Sequence, residues 1–244
     1  MPDSHIPYDF TLTARLQVTR LGVGHEEEPV LIIDDVLDKP GNLVEFAARE
    51  VRFEPAWTAS GGYPGLRAAA PLGYVERLVR SLAPVLEEAW GLEGFRLARA
   101  DCRLSLVTLP PDRLTPLQRI PHIDTVDPLR IALLHYLFDG DFGGTSFYRH
   151  RATGLETIGP RQEPDYLRAR DRELAAQPPA PGYLDGDTAC YLKTGQVEAR
   201  FNRVVAYRSC LLHCGQIARD MNFSPDPRQG RLTANVFATY APPG

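Results

Sequence analysis

From Phe95 onward the chain is a series of short apolar runs of β type separated by turn residues, and this texture limits the fold more than any other feature. Segments 103–109, 119–124, 130–138, 145–148, 188–192, 204–213 and 231–240 read as strands. So many short strands at close spacing predict two packed sheets or a barrel, with helices on the outside. Upstream, 12–18 and 30–34 also read as strands. A helix is predicted over 41–51, where Leu43, Phe46, Ala47 and Val51 recur at helical spacing. A second spans 72–90, with Tyr74, Leu78, Val85, Leu86 and Ala89 on one side, Gly91 as its stop and Pro84 as a kink or break. Between the helices, 57–71 is rich in glycine, proline and aromatics and is expected to be an irregular loop around Gly61-Gly62-Tyr63-Pro64-Gly65.

With no repeat or low-complexity linker, the 244 residues are expected to form a single domain. Residues 1–94 would be its helical support and 95–244 its β core. The charged, proline-rich stretch 159–182 interrupts that core as an insertion with a short helix at 164–176. It reads as a lid, an oligomer contact or a surface loop, as 57–71 also reads as a lid.

A net charge of −4 gives no global attraction to nucleic acid or anionic membrane, so neither is expected as a partner. No apolar run approaches the roughly 18 residues that span a bilayer, and residues 1–7 lack signal-peptide features. The expectation is a cytoplasmic protein. Cys102, Cys190, Cys210 and Cys214 are too few and scattered for a disulfide framework. Cys210 and Cys214 with His213 suggest zinc, but on a regular strand the two thiols point opposite to the imidazole.

The chemistry-bearing pattern is His122-Ile-Asp124 on one strand-like run and His213 on another. Residues two apart on a strand share a face, so His122 and Asp124 project together. A third ligand from a distant strand completes a two-histidine, one-carboxylate face, with open positions suited to oxygen-activating ferrous iron. Asp127 is the competing carboxylate, but it precedes Pro128 and reads as turn chemistry. Of the other histidines, His135 is expected to face away from any cavity lined by Tyr136, and His150 to lie on a solvated face at its mouth.

The order of the surroundings is more specific than the pair. After His122-Ile-Asp124 come Leu133-Leu134-His135-Tyr136-Leu137-Phe138, the Gly143-Gly144-Thr145 turn, Leu211-Leu212-His213-Cys214-Gly215 and Arg231-Leu232-Thr233-Ala234-Asn235-Val236-Phe237. Over 102–240 this series resembles the Fe(II)/2-oxoglutarate-dependent dioxygenase superfamily, most nearly its prolyl 4-hydroxylase-like branch. The resemblance implies a mainly β fold with flanking helices, a distorted double-stranded β-helix (jelly roll, cupin-like). It also implies Fe(II), with 2-oxoglutarate and O2 as co-substrates, and hydroxylation of a C–H bond in a small molecule, amino acid or peptide.

Carried over residue by residue, the resemblance makes His122, Asp124 and His213 the metal ligands. Arg231, Tyr136 and Thr233 become the binding set for the far carboxylate of 2-oxoglutarate, the planar guanidinium matching a carboxylate. Strand alternation adds Asn235 and Phe237 to the cavity wall. The gap from His213 to Arg231 is long, with a turn-rich insertion at 222–230, so Arg228 and Arg219 stand as alternatives to Arg231. An aspartate at the third ligand position disfavours halogenation, which needs that position for halide. Two other classes remain beside this one: a cupin-type metal enzyme that does not use 2-oxoglutarate, and a non-catalytic β-barrel binding module.

Overall fold

The computed structural model describes residues 8–243. In chain order its elements are β1 (Gln17–Val23), β2 (Glu28–Asp34), α1 (Gly41–Arg49), β3 (Glu54–Thr58), β4 (Gly61–Ala69), α2 (Leu72–Trp90), β5 (Arg96–Val107), β6 (Arg130–Tyr136) and β7 (Thr145–His150). Then follow α3 (Glu163–Ala176), β8 (Tyr191–Val197), β9 (Arg203–Arg208), β10 (His213–Gly215) and β11 (Leu232–Ala241). They build an eight-stranded sheet in the order β1-β2-β9-β6-β11-β5-β4-β3 and a three-stranded sheet in the order β10-β7-β8. From β6 onward the chain passes back and forth between the two, with β6, β9 and β11 in the large sheet and β7, β8 and β10 in the small one. That alternation makes the fold a distorted double-stranded β-helix, mainly β with flanking helices and open rather than closed into a barrel.

Side-chain alternation divides the large sheet into two faces. Ala234, Val236, Ala238 and Tyr240 of β11, with Ile131 and Leu133 of β6, pack with Leu43 of α1 and Tyr74, Leu78, Leu82 and Leu86 of α2. Thr233, Asn235 and Phe237 of β11 project to the opposite side and line a cavity between the sheets. The core on that side is Ala132, Tyr136, Phe147, Val205, Tyr207 and Leu211. Helix α2 runs unbroken through Pro84, which lies on its exposed side, where water can take the carbonyl that proline leaves unpaired. Among the described residues no helix is long and apolar enough to cross a membrane.

Four expectations are corrected. Segment 57–71 is not an irregular loop: β3 and β4 form a hairpin at the edge of the large sheet. Gly61 and Gly62, at φ of 134° and 94°, turn the chain. Pro64 falls in the irregularity where register shifts between Pro55 and Trp57, so its missing N–H breaks no regular ladder. Gly65 then lets β4 close on β5, since a Cβ there would lie 1.9 Å from the Leu106 carbonyl oxygen. The N-terminal part therefore supplies four strands as well as two helices.

Second, 204–213 is not one strand. It ends as β9 at Arg208, turns with Leu211 N–H donating to the Arg208 carbonyl at 3.0 Å, and resumes as β10 in the other sheet. The run from Ser209 to Cys214 is buried throughout, so no alternation marks the corner. Third, 119–124 is not a regular strand. A 3-10 turn at Pro116–Arg119 precedes it, Pro121 offers no N–H, and His122 makes an isolated bridge to His213. Fourth, His150 is fully buried, bonded to Thr153 and to Glu173 at 2.8 Å each and packed on Tyr166 and Tyr191. It fastens α3 to the core rather than facing solvent.

Candidate active site

Main-chain bonds bring the first candidate ligands together. His122 N–H donates to the His213 carbonyl, and His213 N–H donates to the His122 carbonyl, both at 2.9 Å. Asp124 N–H donates to the Ser209 carbonyl at 2.8 Å, so the carboxylate is carried on the same braced segment. His213 accordingly stands over the pair as the sequence pattern expects, although by a bridge rather than through continuous strands.

The side chains converge. His122 Nε2 lies 4.0 Å from Asp124 Oδ1, His213 Nε2 lies 3.7 Å from Asp124 Oδ2, and the imidazole centroids are 4.4 Å apart. Among the described residues, this is the one cluster of three or more histidine, cysteine or acidic side chains whose ligand atoms all fall within 4.8 Å of one another. Cys210 and Cys214 are outside it.

The donor set fits a metal. Cis ligands on an octahedral ion with bonds of about 2.1 Å stand about 3 Å apart, so small side-chain rotations bring all three atoms onto one ion. His213 Nδ1 is 2.8 Å from the Leu211 carbonyl oxygen, which can only accept. Its proton therefore sits on Nδ1 and the Nε2 lone pair faces the cluster, as a ligating histidine requires. The surrounding protein atoms, then the neighbouring His213 and Arg67, lower the His122 imidazole from its ordinary value, although its side chain keeps 54% of its surface exposed. The same surroundings raise the Asp124 carboxyl, against the pull of His213, Arg130 and Arg67.

These groups share a cavity of about 560 Å³ with Arg231, Thr233, Asn235 and Phe237, a size usual for small-molecule sites. Arg231 is buried and has no acidic partner within salt-bridge distance among the described residues. Three backbone carbonyls hold it instead: Phe142 at 3.2 Å from Nε, and Gly143 and Gly144 at 3.3 and 3.0 Å from Nη2. The Gly143-Gly144 turn is what presents them. Gly143 has φ 78°, and a Cβ on Gly144 would stand 1.9 Å from the Val197 carbonyl oxygen. A guanidinium buried with neutral acceptors alone keeps its full charge, and that charge is costly unless an anion arrives.

The other arginines considered do not compete. Arg228 forms a two-point pair with Glu45 at 2.8 Å on each arm, and neither it nor exposed Arg219 lines the cavity. Thr233 lines the wall with its hydroxyl donating to Asn235 Oδ1 at 2.8 Å. Tyr136 is placed one layer back: its hydroxyl is 2.7 Å from Thr145 Oγ1, and Thr145 rather than Tyr136 borders the cavity. His135 faces the helix side, with Nδ1 2.9 Å from Tyr74 Oη and Nε2 3.2 Å from Asn202 Oδ1.

Sequence reasoning missed three wall residues. Tyr207 packs against the His213 ring at a tilt of 58°, with centroids 4.7 Å apart. Tyr63 and Arg67 come from β4, and both border the cavity. The Tyr63 hydroxyl is buried with no hydrogen-bond partner, and the Arg67 guanidinium lies over its ring at 4.4 Å. Their alternation, Tyr63-x-Gly65-x-Arg67, is strand-like, but the surrounding glycines and proline hid it. From α3 and the segment after it, Glu163, Tyr166, Arg170, Tyr183 and Leu184 close the opposite wall.

This is a double-stranded β-helix protein whose cavity gathers a two-histidine, one-carboxylate cluster and a buried guanidinium. The chain belongs to DUF6445, a family of unknown function, whose model matches residues 14–238. No curated protein matches its sequence. Solved structures with a similar backbone include a non-haem α-ketoglutarate-dependent epimerase, SnoN, from nogalamycin biosynthesis, at 12% identity and a TM-score of 0.47, covering 89% of this chain and 79% of that one. HygX from Streptomyces hygroscopicus, with nickel, 2-oxoglutarate and hygromycin B bound, has 14% identity and a TM-score of 0.47, covering 89% and 84%. EvdO2 from Micromonospora carbonacea var. aurantiaca, complexed with 2-oxoglutarate, has 13% identity and a TM-score of 0.44, covering 96% and 95%. All three likenesses are loose, in sequence and in backbone.

Proposed function

We propose that the protein is a non-haem Fe(II)- and 2-oxoglutarate-dependent oxygenase, related to the prolyl 4-hydroxylase-like branch, that hydroxylates a C–H bond of a small molecule, amino acid or peptide. The observation that carries this reading is the presence, in one cavity, of a two-histidine, one-carboxylate cluster and a buried guanidinium without an acid. A metal enzyme with no anionic co-substrate leaves Arg231 without a task.

His122, Asp124 and His213 would hold the iron, which with 2-oxoglutarate and O2 supplies the oxidising power. Two neutral imidazoles and one carboxylate leave an Fe(II) site with positive charge to spare, so it can accept a dianionic co-substrate. Arg231 receives the far carboxylate through Nη1, its plane already fixed by the carbonyls of Phe142, Gly143 and Gly144 on Nε and Nη2. Thr233 borders that contact, and Tyr63 directs an unpaired hydroxyl at the same region. Tyr136 acts behind them by fixing Thr145. Phe237, Tyr207 and the α3 wall line the space beside the cluster, where a substrate would cover the exposed His122 and Asp124 side chains.

The test is an anaerobic titration of purified protein with Fe(II) and 2-oxoglutarate, followed by visible absorption. The expected result is a metal-to-ligand charge-transfer band in the wild type that Arg231→Gln forms only at 2-oxoglutarate concentrations at least about 100-fold higher. A wild type that binds Fe(II) without the band, or an Arg231→Gln titration that overlays the wild type, overturns the proposal.

A further inference from the structure

We infer that the substrate is a small molecule bearing a carboxylate, and that Arg67 is the residue that receives it. The inference rests on the oxygenase reading, because it counts the anions that reading brings into the cavity.

Elsewhere the chain pairs its half-buried arginines with acids, apart from Arg119, which donates to the Leu114 carbonyl instead. Arg203 meets Asp34 at 2.7 Å, Arg149 meets Glu156 at 2.6 Å, Arg130 meets Asp101 at 3.5 Å and Arg208 meets Glu28 at 3.5 Å. Even Arg170, on the cavity's α3 wall, is matched by Asp171 at 2.7 Å. Arg67 breaks this habit. Among the described residues it has no acid within 4.0 Å and makes no side-chain hydrogen bond, and its Nε is buried without an acceptor.

It is nonetheless held in place. The guanidinium carbon lies 4.4 Å from the Tyr63 ring centroid, a cation–π contact that leaves its two terminal nitrogens without a protein partner. Gln118 clamps the hairpin turn beneath by donating to the Gly62 carbonyl at 3.0 Å. A fork that is oriented, half-buried and unpaired is built for a ligand anion.

Arg231 and Arg67 serve different anions. Across the sheet, Arg67 of β4 is in register with Ser105 of β5, which pairs Thr233 of β11, which in turn pairs Tyr136 of β6. Arg231 lies two residues before Thr233, just ahead of β11, over the Gly143-Gly144 turn. Arg67 instead sits on the edge hairpin, in register with Glu54 of β3, which lies beyond salt-bridge distance, and beside the cavity wall formed by Gln118, Ile120 and His122. Once 2-oxoglutarate has satisfied the metal and Arg231, Arg67 is the wall arginine left without an acid, since Arg170 on the α3 wall, beside Glu163, is paired with Asp171. A substrate carboxylate there would be anchored at the edge of the cavity, with the rest of the molecule extending over the metal cluster.

The experiment measures binding of matched acids, methyl esters and primary amides on three frameworks: an N-acetylamino acid, an aryl acid and an aliphatic hydroxy acid. Saturation-transfer NMR reads it in the wild type, Arg67→Gln and Arg67→Lys, each with Zn(II) and 2-oxoglutarate and again with neither. At least one framework should bind as the acid about ten- to hundred-fold more tightly than as the ester or amide. The preference should collapse in Arg67→Gln and partly return in Arg67→Lys, with the affinity for 2-oxoglutarate unchanged.

An absence of acid preference on all three frameworks overturns the inference, as does a preference that survives in Arg67→Gln. Loss of 2-oxoglutarate binding in Arg67→Gln also overturns it, by making Arg67 the co-substrate anchor. Failure of the wild type to bind 2-oxoglutarate would instead remove the oxygenase reading, while the acid preference measured without additions would still report on Arg67.

Discussion

The main chains of His122 and His213 exchange two hydrogen bonds of 2.9 Å, one in each direction. The two candidate ligands are thus registered to each other by the backbone, independently of anything their imidazoles hold. Replacing either ring should leave that bridge, and with it the local fold, in place.

The second consequence concerns Tyr63. Its hydroxyl is buried near the Thr233 and Ser105 hydroxyls without a partner in hydrogen-bonding geometry, its side chain borders the cavity, and burial raises it against the pull of Arg231, Arg67 and those two hydroxyls. Tyr63→Phe removes an unsatisfied polar atom and should leave thermal stability unchanged or slightly higher. If the hydroxyl serves the bound carboxylate, the affinity for 2-oxoglutarate should drop about five- to ten-fold, the worth of one hydrogen bond to a charged group. Calorimetric titration checks this, and a large loss of stability with unchanged affinity would assign Tyr63 to packing alone.

His135 predicts a pH dependence of stability. Burial holds it down to about 4, even though the Asn202 contact favours the charged form. The folded state therefore binds this proton less readily than the unfolded state, whose histidine titrates near 6.5. Its contribution is complete above about pH 6.5 and is lost as pH falls toward 4, at about 1.4 kcal/mol per pH unit and about 3 kcal/mol in all. Urea unfolding from pH 7 to 4.5 should show a slope about one proton smaller in His135→Gln than in the wild type. Identical slopes would contradict the assignment.

Much of this was legible because burial on one face leaves an alternating record. Ala234, Val236 and Ala238 against Thr233, Asn235 and Phe237 gave both the helix-facing core and the cavity wall. The face of α2 was equally plain, with Tyr74, Leu78 and Leu86 at helical spacing. The record fails where both sides of a strand are buried or where glycine erases it. Ser209 to Cys214 is buried throughout, so the corner between β9 and β10 was invisible. The glycines and proline of β4 disguised an edge strand, and with it Tyr63 and Arg67. His150 looked solvated because Arg149 and Arg151 flank it, yet its partner, Glu173, lies on a helix that only the tertiary fold brings near.

The most direct test of the account is anaerobic Fe(II) binding by the wild type and by His122→Ala, Asp124→Ala and His213→Ala, with circular dichroism recorded on the same samples. The wild type should bind one equivalent, and each substitution should weaken binding at least about 100-fold with the spectrum of the fold unchanged. Wild-type affinity in any one of the three variants would contradict the claim that these residues form a single metal centre.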